Sequence, residues 1–175
     1  MMDLETLQRH LLSLIKNREY TNEDEPYLHL VQHSKHLKVM QSIIFLWRAY
    51  EIEQYCIFTA ALLRRKGLFD EAIQTFIEKK SLSPFIERLG LMFLEEMSNH
   101  SDTLIASLAQ FELALLRIKQ GDVATYVIEW DYNPYYLLEE LLHNTPSEEL
   151  CRTGSFRTIL SKDLPGLFQV LSVKE

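Results

Sequence analysis

Up to residue 120 apolar side chains recur at three- and four-residue steps, and over residues 123–130 the step shortens to two. The first regime is that of helices with one buried face and the second that of a half-buried strand. Leu4, Leu7, Leu11, Leu14 and Ile15 form one stripe, which predicts an amphipathic helix over 3–17. The charged stretch REYTNEDEP follows, and residues 27–40 carry a mixed pattern compatible with helix. The run 42–66 is apolar almost all round, the pattern of a central helix with neighbours on several faces. Arg64, Arg65 and Lys66 suit its C-terminal end and Gly67 its stop. LFDEAIQTFIEKKS places Phe69, Ile73, Phe76 and Ile77 on one side of a short helix. Ser83 and Pro84, a cap and a first helical residue, open another helix over SPFIERLGLMFLEEM. Leu104, Leu108, Phe111, Leu115 and Ile118 form the seam of a further helix that Gly121 closes.

VATYVIEW then alternates Ala124, Tyr126, Ile128 and Trp130 with Val123, Thr125, Val127 and Glu129, which predicts a strand with one face buried. Asn133-Pro134 is a cap and first-position pair for a helix over YYLLEELLH. SFRTILSKDLPGLFQVLSV reads as strand, turn and strand around Asp163, Leu164, Pro165 and Gly166. The fold class is therefore mainly α with a small C-terminal antiparallel β-sheet (α+β), a helical bundle plus about three short strands. A helical body over 1–120 and a sheet-and-helix region over 121–175 are expected to form one compact unit. No internal repeat is visible.

Composition narrows the function classes. A chain of 175 residues with 47% hydrophobic and 25% charged residues can bury a sizeable core. Five glycines and five prolines are few for an all-β fold with many tight turns. A net charge of −7 and no dense Lys/Arg run weigh against nucleic-acid binding, which needs a basic surface. The most apolar stretch, SIIFLWRAYEIEQYCIFTAALL, is interrupted by Arg48, Glu51, Glu53 and Gln54, so no membrane span is expected. MMDLETLQRH lacks the apolar core of a signal peptide, and a cytoplasmic setting is the expectation. Cys56, inside an apolar run, reads as a small core residue, and Cys151 falls in a polar loop. Two cysteines so far apart make neither a zinc site nor a disulfide scaffold.

Catalytic signatures are sparse. The chain carries no Gly-rich phosphate loop, G-x-S-x-G, H-E-x-x-H or C-x-x-C. His29, His33 and His36 would share one face of a continuous helix, a weak metal-ligand pattern beside the reading of a polar face. No metal is assigned to the chain. The acid pairs Glu95/Glu96, Glu139/Glu140 and Glu148/Glu149 point about 100° apart on a helix and read as solvated faces. Arg48 and Glu112 are charges in apolar sectors, and such charges need partners. Arg48 and Glu112 are the candidate residues of a structural charged pair, and Arg48 is expected to fix helix register by a partly buried pair with Glu51, Glu53 or Glu112.

The run WRAYEIEQYCIFTAALLRRKG, then LFDEAIQTFI, SPFIE…FLEEM, LAQFELAL and the late strand followed by NPYYLL carry a family likeness over residues 45–142. They resemble the partner subunits of multinuclear non-haem iron-dependent oxidative enzymes, which modify cysteines in ribosomally made peptides. Within that group the compact size is most similar to the methanobactin-biosynthesis partners, with partners from thia-amino-acid pathways next.

The resemblance implies a non-catalytic, cofactor-free subunit that forms a heterodimer with an iron-containing barrel oxidase. It also implies binding of a short Cys-containing precursor, whose leader pairs as a strand with a sheet edge. The reaction, cysteine to an oxazolone with a neighbouring thioamide in a copper-chelator pathway, would take place on the companion. An edge strand offers unpaired N–H and C=O groups for such an addition. Val123, Thr125, Tyr126, Val127, Ile128, Glu129 and Trp130 are the candidate leader-binding residues. A competing expectation is that this strand only pairs with the terminal hairpin and covers core. Other function classes are a helical regulatory or DNA-binding protein, and an independent enzyme with metal on the three histidines.

Overall fold

The computed structural model describes residues 3–15, 26–79, 86–143 and 153–173. Among these residues the helices are α1 (Leu4–Ile15), α2 (Pro26–Gln32), α3 (Lys35–Tyr55), α4 (Ile57–Arg65), α5 (Phe69–Lys79), α6 (Ile86–Met97), α7 (Thr103–Lys119) and α8 (Pro134–His143). The strands are β1 (Tyr126–Tyr132), β2 (Thr153–Leu160) and β3 (Phe168–Ser172), in one antiparallel sheet of order β1-β2-β3. The mainly α architecture with a small C-terminal sheet is thus the one the periodicities predict. Ser83, Pro84, Glu148, Glu149 and Cys151 lie outside the described residues. No helix among the described residues is long and apolar enough to cross a membrane.

The single helix expected over 42–66 is two helices. α3 begins where the Ser34 hydroxyl accepts the His36 N–H at 3.2 Å and ends at Tyr55. Cys56, at φ −110° and ψ 59°, turns the chain into α4. A helix start leaves its first N–H groups without intrahelical partners. At this break the Glu112 carboxylate, reaching from α7, accepts from the Phe58 N–H at 3.0 Å and the Thr59 N–H at 2.9 Å. Continuous helical periodicity hides such a break, because its cap is far away in sequence. Gly67, at φ +69°, closes α4 in the left-handed conformation that a C-terminal glycine supplies.

α7 is the central helix. Its buried residues include Ile105, Leu108, Phe111, Leu113 and Ile118, and they face more than one neighbour. The expectation that the 42–66 run is central is met only in part. α4 buries Thr59, Ala60, Leu62 and Leu63, whereas α3 leaves a long apolar face uncovered. One core cluster joins α3–α7 to α8 and the sheet through Leu137, Ile128, Trp130 and Leu160. α1 and α2 form a smaller cluster with α3, centred on Leu14, Leu28 and Leu37. Leu4, counted in the α1 stripe, is 69% exposed. α5 buries the four residues expected of it, Phe69, Ile73, Phe76 and Ile77.

Three close contacts fix the body. At Gly90 on α6 a Cβ would stand 1.9 Å from the Tyr55 ring, so only glycine lets the end of α3 lie there. The Tyr55 hydroxyl accepts from Gln120 Nε2 at 3.2 Å. Arg65 on α4 meets Glu140 on α8, Nη1 to Oε2 at 2.8 Å, with Glu140 almost wholly buried. Glu140 is therefore not the solvated-face residue expected from the Glu139/Glu140 doublet.

Candidate functional site

The sheet hangs on α7 through aromatic packing. Phe111 stands edge-on to Trp130 at 5.9 Å between ring centroids and edge-on to Phe168 at 5.1 Å. Ile128 and Trp130 point into this core at 4% and 2% exposure, while Val127 and Glu129 face out, as the alternation expects. β1 begins at Tyr126, three residues later than VATYVIEW expects. Val123 and Thr125 are exposed residues of the preceding loop. That loop is held by Asp122, whose carboxylate accepts the Ala124 N–H at 2.8 Å and the Tyr126 hydroxyl proton. Those bonds, the tyrosine's first, hold the Asp122 carboxyl below its ordinary range and push the Tyr126 phenol up. α8 begins as expected, with Asn133 Oδ1 accepting the Tyr135 N–H at 3.0 Å behind Pro134.

Among the described residues strand order makes β1 and β3 the two edges, and the register shows which β1 groups point outward. Antiparallel residues alternate between neighbours in their hydrogen bonding. The Val173 N–H donates to Ser155 O at 2.9 Å and the Ser161 N–H to Leu167 O at 3.0 Å. Odd-numbered residues of β2 therefore turn toward β3, and Phe156, Thr158 and Leu160 turn toward β1. Their partners are Trp130, Ile128 and Tyr126. The backbone groups of Val127 and Glu129 consequently face away from the sheet. A side-chain contact agrees: Ser107 Oγ on α7 donates to Glu129 O at 2.9 Å. This cap blunts the edge at Glu129, as natural sheets often do.

A groove of about 420 Å³ adjoins the remaining edge. β1 supplies one wall with Tyr126, Val127 and Ile128. α7 contributes Gln110, Leu113, Ala114 and Arg117, α6 contributes Glu95, and the turn after it Ser98 and Asn99. Leu113 and Ala114 are buried and make an apolar floor. Arg117 and Glu95 form an ion pair at 2.9 Å, with side chains 40% and 54% exposed. A pair so exposed adds little stability and exchanges partners readily. The groove combines the outward peptide groups of Val127, an apolar floor, and a charge of each sign at the rim.

Of the candidate leader-binding residues, Tyr126, Val127 and Glu129 present accessible groups beside this edge. The Ile128 and Trp130 side chains are core, packed against α7, and Val123 and Thr125 precede the strand. The expected pairing of β1 with the terminal hairpin is also observed, and it consumes only one of the strand's two edges. The α7 and α6 wall was missed from sequence. Its signal is the stripe Ser107, Gln110, Ala114 and Arg117, small or polar residues at steps of three and four on an otherwise apolar helix.

The other candidates resolve differently. Arg48 takes Glu51, one of its three expected partners, and not Glu112. The pair meets Nη1 to Oε2 at 2.7 Å and is mostly buried, while Glu112 is committed to the α4 N–H groups. Glu53 instead holds Arg64. The three histidines do not share one helical face, because the chain breaks at Ser34 between α2 and α3. His29 and His33 stack at 4.3 Å between centroids, and His36 begins another helix. Among the described residues no group of three or more His, Cys, Asp or Glu is placed to hold one ion. Cys56 is buried as expected, and burial together with the Glu112 charge pushes its thiol well up.

Burial, the largest influence, also pushes the Glu112 carboxyl above its ordinary value of 4.5, outweighing the bonds from the Thr59 and Phe58 N–H groups. A raised native value means that the folded chain holds the proton more tightly than the unfolded one. Its stability contribution is then full below about 4.5 and is lost as pH rises through the raised value. Urea unfolding of the wild type and Glu112→Gln across this range is expected to show the wild type losing ground as pH rises. A difference independent of pH, or one growing in the wild type's favour, would contradict the raised carboxyl.

Compared with known protein families, characterised proteins and solved structures, the chain matches none.

Proposed function

We propose that this chain is a non-catalytic recognition subunit that holds an extended peptide as a fourth strand along β1, presenting it to a companion iron-dependent oxidase. One observation supports the docking half: the outward peptide groups of Val127 border an apolar-floored groove, and no strand among the described residues pairs with them. Strand addition supplies affinity through the backbone and selectivity through alternate side chains. Here one set of peptide side chains would descend on Leu113 and Ala114 while the other faced solvent. Arg117 and Glu95 would meet charged groups at the rim.

The companion half rests on the sequence resemblance, which implies iron and oxygen chemistry on the partner and a Cys-containing precursor as cargo. Methanobactin-type cysteine modification, to an oxazolone and thioamide, is the reaction that the resemblance favours. Co-expression of the chain with its neighbouring reading frames, followed by affinity purification, is expected to recover an iron-containing barrel protein and a short Cys-containing peptide. Recovery of neither would overturn this function.

A further inference from the structure

We infer that the exposed face of α3 is the interface of a two-fold symmetric dimer of this chain. Val39, Ile43, Leu46, Trp47 and Tyr50 follow one another at helical spacing along one side of α3, each between 54% and 64% exposed. Met40 extends the stripe. Single exposed apolar residues are ordinary, but a contiguous patch of this kind marks an interaction surface. These six side chains offer on the order of 700 Å², close to the roughly 800 Å² per partner of a stable interface. Trp47 and Tyr50, 6.2 Å apart between ring centroids, supply the aromatic anchors on which interface energy concentrates.

Charge placement selects a second copy as the occupant. Lys35 at the start of α3 and Glu53 near its end are eighteen residues apart, five full turns, and so lie on the same flank of the stripe. In an antiparallel two-fold pair that flank meets itself in reverse, so each Lys35 faces the other copy's Glu53. The same axis sets Val39 opposite Tyr50, and Ile43 opposite Leu46 and Trp47, which centres the apolar stripe on itself. This self-complementarity is what a two-fold interface requires. Glu53 already holds Arg64 within the chain, yet a carboxylate has acceptor sites for a second cation. The surface is carried by α3 and not by β1, so this inference and the peptide-docking function fail separately.

Sedimentation velocity of the purified full-length chain, from about 1 to 100 μM, is expected to show a concentration-dependent monomer–dimer equilibrium. Leu46→Glu, and separately Trp47→Ser, should weaken it at least about tenfold while helical circular dichroism is kept, both sites being exposed. Lys35→Glu should weaken it as well, and Lys35→Glu with Glu53→Lys should recover association relative to Lys35→Glu alone. A monomer at every concentration would overturn the inference. So would a dimer indifferent to both stripe variants, a charge swap without recovery, or an α3 face covered only when the companion protein is added.

Discussion

Val127→Pro is expected to weaken binding of an extended peptide at the β1 edge by about tenfold or more while leaving the fold intact. The Val127 N–H points away from β2 and its side chain is 55% exposed, so proline there removes no ladder bond and disturbs no core. It does remove a donor that an added strand would use, and its ring intrudes where that strand would lie. Loss of one such bond with the attendant clash is worth about 1.5 kcal/mol or more, hence the tenfold figure. Ile128→Pro is the control. Its N–H turns toward Thr158 and its side chain is buried, so that variant should lose stability as well as binding. Calorimetric titration of the peptide recovered with the chain, beside urea melts of both variants, separates the cases. Equal affinity for the wild type and Val127→Pro would remove β1 as the docking edge.

Phe111→Ala should lower the unfolding free energy by about 3–5 kcal/mol, the usual cost of deleting a buried aromatic. Phe111 is 1% exposed and its ring is the contact shared by Trp130 of β1 and Phe168 of β3. The resulting cavity would lie between the helical body and the sheet. The sheet is therefore expected to loosen first, with lost near-ultraviolet aromatic signal and earlier amide exchange in β1–β3 than in α4–α7. Uniform loss across both parts, or a cost below about 1 kcal/mol, would show that the sheet does not depend on this ring.

The elements that local periodicity encodes were legible: the α5 stripe, the Asn133-Pro134 start of α8, and the inward alternation of Ile128 and Trp130. Features set by distant residues were not. The Cys56 break depends on Glu112, more than fifty positions away, and nothing in the apolar run 42–66 records it. Of the three partners expected for Arg48, Glu51 is the one it has; Glu112 stayed among them in sequence because a carboxylate that caps a helix looks there like one awaiting an arginine. The all-round apolar character of α3 was visible, but sequence does not tell a face covered by this chain from one left for another molecule. The candidate site was half legible. VATYVIEW marks the strand and its faces, yet which edge stays free follows only from the β1-β2-β3 order, and the groove wall comes from α6 and α7.

Residue-resolved amide exchange, with and without the precursor peptide, tests docking at β1 most directly. The Val127 N–H points away from β2 and should exchange readily in the free chain. Docking along this edge requires Val127 to become protected on peptide addition, with Ile128 little changed because its N–H is already bonded within the sheet. Protection confined to β3, or saturation by peptide with no change at Val127, would contradict it.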